Sequence, residues 1–486
     1  MKLQLPPSAR LTQWGGTSLS SEELLHEVMI WQELLLGYEA KRIVLEADSG
    51  LQWALLDLAC LAADLVLVPL PTYLSSSQRD AVLAQLQPDL LISDSPEQQS
   101  GELLEEYAGL SLYRLPVHGN ALVPAGTQKI TFTSGSTGQP KGVCLSAEQQ
   151  LDVALWLAAR VQQISQGTPR HLCLLPLPTL LENIAGIYAP LLEGGEVVLA
   201  KDAERGFSGS RLTEPQKLLA LISQVQPKSL ILVPELLQFL LLAFQSGWQA
   251  PTSLEFIAVG GAVVSPALLQ AAAKAGLPVY QGYGLSECAS VVALSVDPAE
   301  QAGASVGLPL AGRQVRIEDG ELVVQTPFLG YLGEPASASD EVRTGDLASW
   351  GPNGELLITG RKKNLLINSF GRNISPEWVE TALTSTGAVM QAILLGDGQP
   401  ACVALLFARP EVSDQQLAAV VDSVNAQLPD YARIARYSRL SQPFSVAEGS
   451  LTDNGRLRRQ AIQQLYSQHI DQLYSGVRDE LLSLSA

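Results

Sequence analysis

Apolar strand-like runs alternate with helix-like runs between about residues 40 and 290, and this alternation restricts the fold more than any other property of the chain. Arg42-Ile-Val-Leu45 precedes a helical stretch at 53–63, then comes Leu65-Val-Leu-Val68, and later Leu90-Leu-Ile92. Strands spaced by helices lie in sheets whose faces the helices cover, so an α/β architecture of layered sheets is expected. At 486 residues the chain exceeds what one hydrophobic core serves, and its 47% hydrophobic residues can fill several.

Between about 305 and 360 the texture changes to short strands broken by glycine turns: Gln314-Val-Arg-Ile317, Glu321-Leu-Val-Val324 and Glu355-Leu-Leu-Ile358. A small β-rich subdomain is expected there. Beyond Lys363, Pro376 marks a helix start, strands follow at 392–395 and 402–407, and a helix spans 413–428. These elements predict a compact α+β unit of roughly 120 residues. The expected division is therefore a large N-terminal domain over 1–362 and a small C-terminal domain over 363–486.

A formal charge of -18, with no long basic run to offset it, argues against broad binding to nucleic acid or anionic membranes. Any nucleotide site must be basic locally. The five cysteines, Cys60, Cys144, Cys173, Cys288 and Cys402, are scattered in apolar contexts without Cys-x-x-Cys spacing, which predicts buried free thiols in a reducing compartment. The N-terminus lacks the pattern of a signal peptide, and no run reaches the ~20 apolar residues of a membrane helix. The nearest candidate, 229–244, is interrupted by Pro234 and Glu235. A cytoplasmic protein without an integral membrane segment is expected.

The stretch Thr131-Phe-Thr-Ser-Gly-Ser-Thr-Gly-Gln-Pro-Lys-Gly142 follows a strand-like run and encloses one lysine. Gly135, Gly138 and Gly142 let backbone N–H groups approach an anion, Thr133, Ser134, Ser136 and Thr137 add hydroxyl donors, and Lys141 adds charge. A Walker loop is excluded because Pro140 stands where its second glycine belongs. A Gly-x-Ser-x-Gly elbow is excluded because Phe132 precedes Ser134 by two and Ser134 precedes Ser136 by two. Composition alone leaves a phosphate loop and a Ser/Gly-rich surface turn open. After Ser146, apolar residues at 151, 154, 155, 158, 161 and 164 keep helical spacing, so the loop leads through a short strand into an amphipathic helix.

The order of residues in this loop resembles the phosphate-binding signature of the adenylate-forming superfamily, which includes acyl-CoA synthetases, adenylation domains of peptide synthetases, and luciferase. Three further segments resemble that family in its order: Tyr280-Gln-Gly-Tyr-Gly-Leu-Ser-Glu-Cys288, Arg343-Thr-Gly-Asp346, and Gly360-Arg-Lys-Lys363 followed by Gly371-Arg-Asn-Ile-Ser-Pro-Glu377. The resemblance spans nearly the whole chain. It implies that residues 133–138, namely Thr133, Ser134, Gly135, Ser136, Thr137 and Gly138, hold phosphates of ATP together with Lys141. It implies that Glu287 and Thr137 help hold Mg²⁺, that Ser286 bonds the α-phosphate, and that Gly282, Tyr283 and Gly284 line the nucleotide. Asp346 would accept from the ribose hydroxyls with Arg361 beside it, and Gly260, Gly261 and Ala262 would pass flat against adenine. Taken alone, Glu287 reads equally as a solvated carboxylate, Thr344-Gly-Asp346 as an Asx turn, and Arg361-Lys-Lys363 as a solvated joint.

By the same resemblance Lys363 is the hinge of a mobile C-terminal lid, and Gly371 and Arg372 line the thiol's approach. At Ser450-Leu-Thr-Asp-Asn-Gly-Arg-Leu-Arg458 the chain departs from the family, since Arg456 stands at the place of the catalytic lysine. No lysine follows Lys363. Arginine keeps the cation but has a longer, planar head. For the acid, the helix-like run 236–244 reads as a core helix or an acyl wall, Thr179 takes the usual histidine place after Leu175-Pro-Leu-Pro, and no Phe-Asp pair is present to hold an α-ammonium. The expected activity is ATP-dependent activation of a carboxylic acid, fatty or otherwise apolar, as acyl-AMP, then transfer to CoA. Transfer to a carrier protein's phosphopantetheine is one alternative, and a nucleotide-binding homologue with adenylation impaired at Arg456 is another.

Overall fold

A computed structural model describes residues 4–95, 101–116, 121–134, 140–165, 167–209, 211–262, 264–296, 305–369, 372–452 and 455–484. Two large sheets form its N-terminal part. In the seven-stranded sheet, Leu90–Ser93, Arg42–Glu46, Val66–Pro69 and Lys129–Ser134 run parallel, while Glu102–Tyr107, Leu110–Arg114 and Pro140–Leu145 complete the edges antiparallel. In the nine-stranded sheet the parallel strands are Val279–Leu285, Phe256–Val259, Ser229–Leu232, Arg170–Leu172, Glu196–Leu199 and Arg10–Gln13.

Helices Ser21–Gly37, Leu51–Ala63 and Ala147–Val161 lie in the layer between these sheets and fill the largest apolar cluster with Trp31, Trp53, Leu56, Val153 and Leu157. Strand alternation explains how both sheet faces are used: Ile43 and Leu45 enter this cluster, whereas Val44 between them enters another. On helix Ala147–Val161 the sequence pattern needs one correction, because Leu155 is exposed while the buried stripe runs through Gln150, Val153, Ala154, Leu157 and Ala158. Two adjacent stripes of that helix are apolar, and the position of the sheets selects one. Helix Pro234–Gln245 packs Leu236, Leu237, Leu240 and Leu241 into the second cluster and leaves Leu242 and Phe244 exposed, so it is a core helix.

The β-rich region is an antiparallel meander of Gln314–Glu318, Glu321–Gln325, Glu341–Trp350 and Leu356–Arg361. The small C-terminal domain has a three-stranded sheet of Val389–Leu395, Cys402–Ala408 and Ile434–Arg439. Helices Pro376–Ser385 and Asp414–Gln427 cover one face over Leu394, Ala404 and Leu406; Arg459–Leu465 and Ser467–Leu484 cover the other over Ile393, Val403 and Leu405. Coverage on both faces explains why the central strand Cys402–Ala408 is continuously apolar, while Ile434–Arg439 at the edge carries arginines. All five cysteines are buried and free.

A buried polar cluster joins the layers. Lys129 Nζ lies 2.7 Å from Asp57 Oδ1 and donates to Asn183 Oδ1 at 2.5 Å and to the Tyr188 hydroxyl at 2.8 Å. Asn183 and Tyr188 also donate to Asp57 Oδ2, and both belong to a π-helical turn, Asn183–Tyr188. Burial presses the Lys129 ammonium down, opposed by the Asp57 carboxylate. Lys129→Met leaves Asp57 charged and unpaired in the core, so a loss of about 3–5 kcal/mol is expected in urea unfolding. The double variant Lys129→Met/Asp57→Leu is expected to recover part of it.

Candidate active site

One cleft, of about 3180 Å³, runs between the N-terminal sheets, the β-rich meander and the C-terminal domain. The described residues among those expected to bind a nucleotide meet in its walls, although Thr133 and Arg361 are 228 positions apart in sequence. Thr133 and Lys141 line it at the end of the strand pair Lys129–Ser134 and Pro140–Leu145. Gly135, Ser136, Thr137 and Gly138 lie outside the described residues, as does the side chain of Ser134. Lys141 Nζ sits 3.4 Å over the Tyr331 ring and 3.2 Å from Glu334 Oε1. Tyr331 in turn donates to Glu287 Oε1 at 2.9 Å.

Gly282, Tyr283 and Gly284 lie on strand Val279–Leu285, and Ser286 and Glu287 on the 3-10 turn that follows. The strand bulges between Tyr283 and Gly284. Only glycine fits there, because a Cβ on Gly284 would fall 1.7 Å from the Ser290 carbonyl oxygen. Gly260, Gly261 and Ala262 follow the C-terminal end of Phe256–Val259, with Gly261 at φ +81°. Ligands of parallel α/β sheets bind at such carboxyl ends.

Asp346 occupies the middle of strand Glu341–Trp350 rather than an Asx turn, directly opposite Arg361 on Leu356–Arg361. Its Oδ2 accepts from the Tyr283 hydroxyl at 2.5 Å and its Oδ1 lies 2.6 Å from Arg361 Nε. Burial raises the Asp346 carboxyl above its ordinary value, while Arg361, Tyr283 and Arg456 pull it back down. Burial likewise raises the Tyr283 phenol, and the Asp346 charge adds to that.

The C-terminal domain closes the cleft through two cations. Lys363, in the 3-10 turn Lys362–Asn364, lines it, and Arg456 Nη2 donates to the Gly261 carbonyl at 2.9 Å across the two domains. Arg456 faces the cleft, yet the surrounding walls lower its guanidinium from the ordinary value, with the Arg361 charge acting in the same direction and Asp346 against it. Lys363 is lowered by burial and then by Arg361 and Arg456. Arg361 thus acts on both Lys363 and Arg456, and cations gathered in one wall suit an anion. Arg372 is exposed and does not line the cleft, and Gly371 lies outside the described residues.

Glu287 fits a Mg²⁺ ligand. Tyr331 occupies only Oε1, leaving Oε2 for a cation that takes few protein ligands and completes its shell with phosphate and water. Among the described residues, His171, Cys173 and Glu182 also group at ligand distances, but His171 and Glu182 already bond each other. Sequence reasoning did not find Tyr331 and Glu334, which hold Lys141, or Glu193, which lines the far end of the cleft. Neither tyrosine nor glutamate on a loop carries a local signal; only the bridge Val143↔Tyr331 brings them to the phosphate strand.

Burial pushes Glu193 up to about 7, and no hydrogen-bond partner reaches its buried Oε1 among the described residues. A raised value means the fold favours the protonated form. That contribution is complete below the unfolded carboxyl's ordinary range and is lost as pH rises through about 7. Glu193→Gln removes this dependence, so its Tm is expected to exceed that of the parent protein at pH ~8 and to converge with it near pH ~5. Scanning fluorimetry across that range reads the difference.

Comparison with known proteins agrees with this geometry. The model of the AMP-binding enzyme family matches residues 33–334, and that of the AMP-binding enzyme C-terminal domain matches 363–478. The long-chain-fatty-acid–CoA ligase FadD15 of Mycobacterium tuberculosis is 24% identical over 90% of this chain and 89% of its own length. The 2-succinylbenzoate–CoA ligase of Staphylococcus epidermidis is 25% identical over 92% of each chain. Among solved structures, O-succinylbenzoate coenzyme A synthetase (MenE) from Bacillus subtilis in complex with AMP superposes with a TM-score of 0.73 at 22% identity, covering 94% of this chain and 95% of that one. The amide bond synthetase McbA from Marinactinospora thermotolerans gives 0.74 at 22% identity over 94% and 97%. With both family models matched in order along the chain, it belongs to the AMP-binding enzyme family and has the adenylate-forming fold.

Proposed function

We propose that the protein is an AMP-forming acid–thiol ligase. A carboxylate oxygen of the acid attacks the α-phosphorus of ATP, the bond to the bridging oxygen breaks, and pyrophosphate leaves. The thiol of CoA then attacks the acyl carbon and AMP departs with its electron pair. Positioning and charge neutralisation carry such a reaction. In this reading Thr133 and Lys141, with Ser134 and the loop 135–139, bind the β- and γ-phosphates. Lys141 exchanges its resting place on Tyr331 and Glu334 for them. Asp346 and Arg361 hold the ribose, and Gly260, Gly261 and Ala262 leave room for adenine.

Glu287 would hold Mg²⁺, which supplies charge to the leaving pyrophosphate. Ser286 and Arg456 face the α-phosphate, where negative charge accumulates in the transition state. Lys363 is the hinge on which the C-terminal domain, residues 363–486, turns after adenylation to admit the thiol past Gly371 and Arg372. The reach of Arg456 to Gly261 carries the reading furthest, because it brings a cation of the C-terminal domain to the adenine edge of the same cleft. An apolar acid is proposed because Leu157, Ala158, Val161, Ala185, Ile231 and Phe256 line the inner wall.

Incubation with ATP, Mg²⁺, pooled carboxylic acids and CoA, followed by mass spectrometry, is expected to yield AMP and acyl-CoA. Formation of no acyl-AMP with any acid would falsify the ligase reading. Arg456→Ala is expected to reduce acyl-AMP formation by about 10²-fold or more, with less effect on thioester formation from supplied acyl-AMP.

Arg456 also favours a second reading, a nucleotide-binding homologue with weak adenylation. Arg456→Lys separates the two: a large gain in acyl-AMP formation supports the impaired site, and an unchanged or lower rate supports an adapted arginine. Asp346→Ala is expected to raise KM for ATP about tenfold or more through the lost charged hydrogen bonds, with a smaller effect on kcat.

A further inference from the structure

The inner end of the cleft is not uniformly apolar. His171, Ser229 and Phe256 stand side by side in register at the amino ends of three adjacent parallel strands. Gly260, Gly261 and Ala262 lie at the opposite, carboxyl ends. From Phe256 to Val259 is three residue steps, or about 10 Å along the strand. Both His171 and Ser229 line the cleft, and both are more than nine-tenths buried.

The pair is held from behind. Glu182 Oε2 accepts the Leu175 N–H at 2.9 Å, and its Oε1 lies 2.9 Å from His171 Nε2. With both carboxylate oxygens accepting, Nε2 carries a proton, and in the neutral ring Nδ1 then accepts from the Ser229 hydroxyl at 3.0 Å. Glycine at 186 is required by this arrangement, since a Cβ there would fall 2.3 Å from Glu182 Oε1 and 2.8 Å from His171 Nε2. The Ser229 oxygen has spent its proton and keeps its lone pairs for a donor.

Glu193 borders the same end of the sheet. It follows helix Ala189–Leu192, two residues before Gly195, which packs on Pro169, and three before Glu196, which pairs with Arg170 beside His171. Its Oε1 is buried without a partner among the described residues. A buried polar atom left unpaired costs about 1–3 kcal/mol unless a ligand satisfies it. A purely hydrocarbon tail would leave Glu193 Oε1 without compensation and the spare lone pairs of Ser229 unused.

We propose that this end of the cleft is a specificity subsite for a hydrogen-bond donor, a hydroxyl or an amine, on the acid about 10 Å from its carboxylate, the reach of roughly eight C–C bonds of ~1.5 Å in zigzag. Ser229 and Glu193 accept from the donor, and His171 with Glu182 fixes Ser229. The inference deepens the ligase reading and rests on it for the direction in which the acid lies.

The test compares octanoic, ω-hydroxyoctanoic and ω-aminooctanoic acids in the full-length protein, by kcat/KM for AMP release and by calorimetric binding. A preference of about tenfold or more for one donor-bearing acid over octanoic acid is expected, and the two arms tell hydroxyl from amine. Ser229→Ala and, as a second variant on a less buried position, Glu193→Gln are each expected to bring the ratio toward one. Equal or better use of octanoic acid, or a ratio that neither variant moves, overturns the subsite. If no acid is turned over, the ligase reading fails while the binding ratio still decides the subsite, and absence of binding by all three acids overturns it.

Discussion

The ion pair between Lys129 and Asp57 is the constraint on which the arrangement of the large domain depends. Asp57 comes from a helix of the layer between the sheets, Lys129 opens the strand that ends at Ser134, and Asn183 and Tyr188 come from a turn against the nine-stranded sheet. Both charges are wholly buried, so each must find its partners in one geometry or carry an unpaired charge. Displacing any of the three elements breaks the set. The strand leading to Lys141 is thereby referred to the sheet that ends in Gly260 and Gly261.

The π-helical turn gains a reason from this. Six residues, Asn183–Tyr188, must present Asn183 and Tyr188 to the Lys129 pair, while Glu182, one position earlier, bonds His171. A turn widened beyond the α geometry allows both. One short segment therefore serves the join between the sheets on one side and the inner wall of the cleft on the other. Such bulges are found at functional sites for the same reason, a local re-aiming of side chains.

The site itself is built from groups that bond one another. Lys141 rests on Tyr331 and Glu334, Asp346 on Tyr283 and Arg361, and Arg456 on the Gly261 carbonyl. Arg361, Lys363 and Arg456 are gathered in a protein whose net charge is -18, so the positive field is local to the cleft. Concentrating cations against an acidic background favours a polyanion there.

Order and spacing of residues determined the family resemblance, the α/β class, the four segments that meet in the cleft, and the anomaly at Arg456, because glycine-rich turns and short strands are coded by neighbouring residues. Tertiary structure alone decided what lies between those segments. Leu155 reads as part of a buried stripe and is exposed, since only the sheets choose which apolar face of its helix they cover. Asp346, which taken alone reads as part of an Asx turn, sits in a strand opposite Arg361. Tyr331, Ser229 and Glu193 have no local pattern at all; the first two bond partners 44 and 58 positions away, and Glu193 is set apart by burial alone. Local chemistry sets which groups the chain owns, and long-range packing sets which of them share a wall, because burial and charge act through space and not along the chain.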